Sequence, residues 1–202
     1  WRPLAEKLSR HAWVERPGIL LPGNHDCYDE SSIYRKACFP DNVTVFAEQP
    51  TIREFPQLDL TVYGNPILSR QSRLGPLRDL KPTGSTRWHV AMAHGNLVRP
   101  DIASGSRPLR PIRPEEIGAS GMHYAALGDW HAFADYSQRE VAAFYSGAPE
   151  PTALDQKGAG YAACVEMDES GVRVRPKRVG IVSTDEVSID VAGKSTPQIA
   201  GE

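Results

Sequence analysis

Cysteine is scarce in this sequence and is not spaced for disulfides or for a structural zinc. Only Cys27, Cys38 and Cys164 occur, an odd number without a C-x-x-C pair. Disulfide-rich secreted domains carry a dense, usually even set of cysteines, and structural zinc sites use closely spaced thiolates. The thiols are therefore predicted to be reduced, which favours a cytoplasmic location.

Long apolar runs and an excess of one charge are also missing. No apolar stretch approaches the roughly 18 residues of a membrane span, and no charged-then-apolar leader occurs, so we expect no membrane association. The formal net charge of -2 gives no overall attraction to nucleic acid. With 202 residues, 40% of them hydrophobic, the chain can bury one sizeable core. We expect one domain over residues 1–192 and a flexible tail over 193–202.

Short apolar runs alternate with turn-rich segments along the chain, which predicts an α/β protein. The spacing of apolar residues and the positions of Pro and Ser predict helices over 3–12, 31–38 and 114–121. Strands are predicted over 18–21, 43–46, 51–55, 60–64, 88–94, 123–131, 141–147, 160–167 and 171–179. Pro, Gly and Arg are frequent in 65–87 and 95–114, and both stretches are predicted to be loops.

Three of the predicted strands end in the same kind of polar group. "GILLPGNHD", "WHVAMAHG" and "HYAALGDWH" each place apolar residues first and His, Asn or Asp directly after them. In an α/β protein the residues that follow several parallel strands meet at one end of the sheet. The candidates for one shared site are Asn24, His25, Asp26, His94, Asp129 and His131.

Imidazole, amide and carboxylate groups together suit a divalent ion such as Mn, Fe or Zn. Each residue also has a plain structural alternative. After Gly23, the sequence Asn24, His25 and Asp26 is also typical of an ordinary turn. Asp129 could likewise cap a turn. The shared position at the ends of strands is what favours a metal site.

The motifs resemble those of a known family. "GNHD" at 23–26, "AHG" at 93–95 and "GDWH" at 128–131 look like the third, fourth and fifth motifs of the calcineurin-like metallophosphoesterases. The likeness is closest to a bacterial branch grouped with DNA-repair exonucleases, in which a segment like "YSGAPEPT" at 145–152 follows. The resemblance spans about residues 15–180 and implies an α/β/β/α four-layer sandwich.

The resemblance also implies roles for individual residues. Asn24, His94 and Asp129 would bind the second of two divalent ions, expected to be Mn with Fe or Zn as alternatives, and His131 would bind the first. His25, oriented by Asp26, would stabilise or protonate the leaving oxygen. Asn24 and His25 would contact the substrate, a phosphoester or DNA. Apart from the resemblance, Arg99 in the predicted loop over 95–114 is either solvated or a further contact for the substrate phosphate. An SMC-like ATPase would be the partner.

The sequence departs from the family pattern at two places. Asp129 stands where the family usually has the first histidine of G-H-x-H. The Asp-x-His and Gly-Asp motifs that precede "GNHD" in the family have no counterpart in residues 1–22. We therefore expect a sandwich without its N-terminal strands, and no hydrolysis by this chain alone.

Three functions follow as expectations. The first is metal-dependent phosphodiester hydrolysis of the DNA exonuclease type. The second is a phosphodiesterase or phosphatase for a small nucleotide, and the third is a catalytically incomplete interaction module.

Overall fold

The computed structural model describes residues 16–98, 110–154, 156–184 and 192. The predicted helix over 3–12, Arg99 and the predicted tail over 193–202 lie outside these residues. None of the helices in the described ranges is long and apolar enough to cross a membrane.

Strands dominate the described chain. Its helices are α1 (Ile33–Lys36), α2 (Pro114–Ala119) and a 3-10 turn at Pro56–Leu58. The strands are β1 (Gly18–Leu20), β2 (Val43–Val45), β3 (Thr51–Phe55), β4 (Leu60–Gly64), β5 (Trp88–His94), β6 (Asn96–Leu97), β7 (Pro111–Ile112), β8 (Tyr124–Gly128), β9 (Ala134–Asp135), β10 (Ala142–Tyr145), β11 (Tyr161–Asp168) and β12 (Gly171–Arg178).

A six-stranded sheet with the order β3-β4-β5-β8-β10-β9 forms the centre. Strands β4, β5, β8 and β10 are parallel, and β3 and β9 run antiparallel at the two edges. The last residue of β5, His94, lies opposite Gly128, the last residue of β8. The segments that follow these two strands therefore start side by side, which brings Asp129 next to His94.

The two faces of this sheet bury two apolar clusters because its side chains alternate between the faces. One cluster contains Tyr63, Ala91 and Ala125 with Ile117 of α2. The other contains their chain neighbours Val62, Val90 and Tyr124, together with Phe46, Ile19, Val165 and Val174. The second face is thus covered by β1, the end of β2 and the hairpin β11–β12.

The predicted α/β/β/α four-layer sandwich is wrong, because the described chain is mostly β-structure with only two short α-helices. In the predicted helix over 31–38, Ser32 caps the start, but Ala37 is already extended and Pro40 follows closely. The segment therefore gives a single turn that ends at Lys36. Helix α2 begins at Pro114 and ends before Gly121, whose φ of +72° suits glycine. Two-stranded sheets, and not helices, cover the second face.

Candidate functional site

The turn after β1 and the ends of β5 and β8 enclose a cavity of about 520 Å³. All six candidate residues from these three segments line it: Asn24, His25, Asp26, His94, Asp129 and His131. The structure therefore brings together side chains that are up to 107 positions apart in the sequence, from 24 to 131.

Three polar side chains converge most closely inside the cavity. His94 Nε2 donates to Asn24 Oδ1 at 3.0 Å, and Asn24 Nδ2 donates to Asp129 Oδ1 at 3.2 Å. His94 Nε2 lies 3.5 Å from the same Asp129 oxygen. We call Asn24, His94 and Asp129 the donor trio, because each has an oxygen or nitrogen atom that can donate an electron pair to a metal ion.

The donor trio fits a single divalent ion. Ligand distances of about 2.0–2.2 Å around an ion place neighbouring ligand atoms roughly 3 Å apart. His94 Nε2 lies at such distances from Asn24 Oδ1, 3.0 Å, and from Asp129 Oδ1, 3.5 Å. An ion would replace the proton that His94 Nε2 now donates, so protons and metal compete for this nitrogen. Among the described residues, no three or more His, Cys, Asp or Glu side chains are grouped to hold a metal. The third donor would therefore be the Asn24 amide oxygen.

Two glycines hold the His94 ring. A Cβ on Gly23 would lie 2.7 Å from His94 Cε1, and a Cβ on Gly128 would lie 3.0 Å from His94 Nδ1. The imidazole therefore packs directly on backbone from both sides. This contact explains why glycine precedes the polar groups of both "GNHD" and "GDWH".

Asp129 is held as a carboxylate in a strained turn. The hydrogen bond with His94 is the main cause that lowers the pKa of its carboxyl, and the charge of His94, the Asn96 amide and the charge of His131 add to it, while burial opposes them. Asp129 also has a φ of +114°, which non-glycine residues rarely adopt. Such strain is typical of functional positions, because the surrounding contacts must enforce it.

Asp26 has partners other than His25. Its Oδ1 accepts from Gly23 N at 2.7 Å, and its Oδ2 accepts from the Tyr34 hydroxyl of α1. Burial, followed by the bond to Asp26, raises the pKa of Tyr34, so the phenol remains a donor. Asp26 therefore fixes the turn, while His25 is exposed toward the cavity.

His131 lies at the same cavity but apart from the donor trio. Its Nδ1 is hydrogen-bonded to Gln156 Nε2, and the side chain is exposed. The resemblance assigns His131 to the first of two ions, and in the part of the chain that the structure describes no three His, Cys, Asp or Glu side chains are grouped around it to hold one.

Three residues that sequence reasoning missed support this site. Asn96 Nδ2 donates to Asp129 Oδ2 at 3.4 Å, and Tyr34 binds Asp26. The Tyr145 hydroxyl donates to Gly95 O at 2.6 Å and so anchors the residue after His94. Asn96 belongs to the same polar run as His94 and could have been included; the two tyrosines carry no signal in the sequence.

Comparisons with known proteins do not assign the chain to a family. No protein-family model, curated protein or solved structure matches the chain.

Proposed function

We propose that the chain binds a divalent ion through the donor trio and belongs to a metal-dependent phosphoester hydrolase. The observation that supports this most is the 3.0–3.5 Å convergence of Asn24, His94 and Asp129 at the ends of separate strands. The similarity of "GNHD", "AHG" and "GDWH" to metallophosphoesterase motifs supports the reaction class. Mn is the proposed ion, with Fe and Zn as alternatives.

Each residue has a distinct part in this proposal. The donor trio would hold one ion, and His131 would contribute to a second. When bound, divalent ions would neutralise the phosphate charge and activate water for attack. His25, exposed at the same cavity, would donate a proton to the leaving oxygen. Asp26 and Tyr34 would keep the turn that carries His25 in place.

The substrate and the location are also part of the proposal. We favour a phosphodiester of the DNA type, with an SMC-like ATPase as partner, on the resemblance alone. A cytoplasmic location is supported by the three cysteines, which are all unpaired.

A binding experiment tests the metal site directly. Dialysis of the 202-residue chain against Mn, followed by metal analysis, is expected to give at least one ion per chain. Asp129→Ala should lower this affinity. Asp135→Ala is the matched control, because Asp135 binds Ser137 through Oδ1 and does not line the cavity. Absence of Mn binding by the parent chain, or equal binding by both variants, would refute the proposed site.

Hydrolysis assays with added Mn then separate the functions. Cleavage of single-stranded DNA supports the nuclease, and cleavage of para-nitrophenyl esters alone supports the small-phosphoester enzyme. The interaction module is the second candidate, because the described donors are grouped for only one ion. Turnover of neither substrate is already expected of this chain alone, so binding of less than one ion per chain in addition would favour the interaction module.

A further inference from the structure

Trp130 is the large apolar side chain at the candidate site that stays open to solvent. Its exposed fraction is 52%, although it lines the same cavity as the donor trio. The chain places it between Asp129 and His131. An indole combines a large apolar face with an N–H group, so at the edge of a polar cavity it offers a stacking surface to a ligand ring.

The other described tryptophan shows the contrast. The Trp88 ring packs edge-on against His123, with centroids 5.0 Å apart, and Arg87 lies 4.8 Å from its ring centroid. Within the described ranges, no ring or cation is recorded in such a contact with the Trp130 indole. About half of the Trp130 surface is therefore open, and among the described residues no aromatic ring or cation competes for it.

The turn that carries Trp130 is closely packed on both sides. Asp129 before it is fixed by its bonds to Asn24 and Asn96. After it, His131 O accepts from Ala148 N at 2.8 Å, and a Cβ on Gly147 would lie only 2.7 Å from this oxygen. The backbone that carries Trp130 is thus held in place, so no ordering of the loop is needed when a ring stacks on the indole.

We propose that Trp130 selects phosphoesters that carry a nucleobase, by stacking on the base while the phosphate lies at the donor trio. The position of the phosphate rests on the proposed function. The cavity suits such a two-part ligand, because Ile33, Leu127 and Ala148 give it apolar walls beside the polar trio. Stacking uses the π-face common to all bases, so it favours a base over no base without reading its identity.

The test compares two ligands that differ by the base. Dissociation constants of AMP and ribose 5-phosphate are measured by calorimetry on the 202-residue chain with Mn present. Stacking is worth about 1–3 kcal/mol per base, so AMP is expected to bind about 5- to 150-fold more tightly. Trp130→Ala should abolish this ratio without changing the ribose 5-phosphate value, and Trp130→Phe should keep part of it. Ile52→Ala, which removes another exposed apolar side chain outside the cavity, should change neither value.

Every outcome decides the inference. Equal binding of the two ligands by the parent chain, no binding of either, or a ratio that survives Trp130→Ala would overturn it. The result is independent of turnover, which is not expected of this chain alone. A ratio that depends on Trp130 but not on Mn would support base stacking and count against the proposed metal site. Mn binding at the donor trio without that ratio would do the reverse.

Discussion

At the scale of single residues, the position of His94 depends on the absence of side chains around it. A methyl group at Gly23 would lie within 3.0 Å of three atoms of the imidazole, so Gly23→Ala must move either the ring or the turn. We expect Mn affinity to fall and unfolding free energy to drop by about 1–3 kcal/mol, the usual range for overpacking. Gly75→Ala is the control, since its Cβ would meet only Arg78 Cβ at an ordinary 3.7 Å. Equal effects of the two substitutions on Mn binding would contradict this account of His94.

The Asp129 carboxylate is a proposed metal ligand, and its backbone is strained. Two substitutions can separate these properties. Ala and Gly both remove the carboxylate, but only Gly tolerates the φ of +114° without strain. Such strain costs about 1–3 kcal/mol, so Asp129→Gly should be more stable than Asp129→Ala by about 1 kcal/mol or more in urea unfolding. Both variants should bind Mn more weakly than the parent. Equal stability of the two would mean that the turn relaxes and that position 129 carries no strain.

The contacts around Asp26 show where prediction from the sequence stops at this scale. Asn24 and His25 were grouped with the other candidates because "GNHD" is one of three similar strand ends, and they line the same cavity. The partner of Asp26 was expected to be His25, yet the structure gives it Gly23 and Tyr34. That choice depends on where α1 lies over the turn, which no local pattern encodes.

At the scale of elements, strands are easier to predict than helices in this chain. Most strands are short apolar runs bounded by turn residues, and β3, β4 and β5 match their predicted limits. The helix predicted over 31–38 is only the single turn α1, since the backbone is already extended at Ala37. The stretch 95–114 was predicted to be a loop, but it contains β6 and β7. These strands pair Asn96 with Pro111, a long-range contact that local sequence does not indicate.

The opposite ends of β5 and β8 carry a histidine pair that should make stability depend on pH. His89 and His123 stack with ring centroids 5.7 Å apart, and His89 N donates to His123 Nδ1 at 3.1 Å. Burial, then the charges of His89 and Arg87, lower the pKa of His123 below its usual 6.5. The unfolded chain thus binds this proton more readily than the folded chain.

Stability contributed by neutral His123 is therefore present above pH 6.5 and is lost as the pH falls from 6.5 through the folded pKa. Urea unfolding between pH 5 and 7.5 should show this loss, with a slope of at most about 1.4 kcal/mol per pH unit for one proton. His123→Asn keeps a hydrogen-bond acceptor but cannot titrate, so its slope should be smaller. An unchanged slope would assign the pH dependence to other groups.

At the scale of the whole molecule, the sheet order decides both what was predictable and what was not. Parallel neighbours β5 and β8 bring two of the polar strand ends together, as the assumption of a parallel sheet requires, but the third end follows β1, which lies in a separate two-stranded sheet with β2. The sequence did not predict which elements cover the two faces of the sheet. The apolar alternation of β11 and β12 predicts strands but does not say that this hairpin, in place of a helix, packs on Phe46 and Val90. Fold class depends on such long-range packing, which a list of elements leaves open.

The donor trio also links metal binding to global stability, because its members come from three separate parts of the chain. The unfolded chain cannot hold Asn24, His94 and Asp129 within 3.5 Å of one another, so Mn should bind the folded state in preference. Mn at 100 times its dissociation constant would then add about 2.7 kcal/mol to the unfolding free energy. We expect the thermal midpoint to rise with Mn concentration and to return to its starting value with EDTA. Asp129→Ala should lose most of this response, while Asp135→Ala, outside the cavity, should keep it. A midpoint that rises equally in both variants would mean that Mn stabilises the fold at some other place.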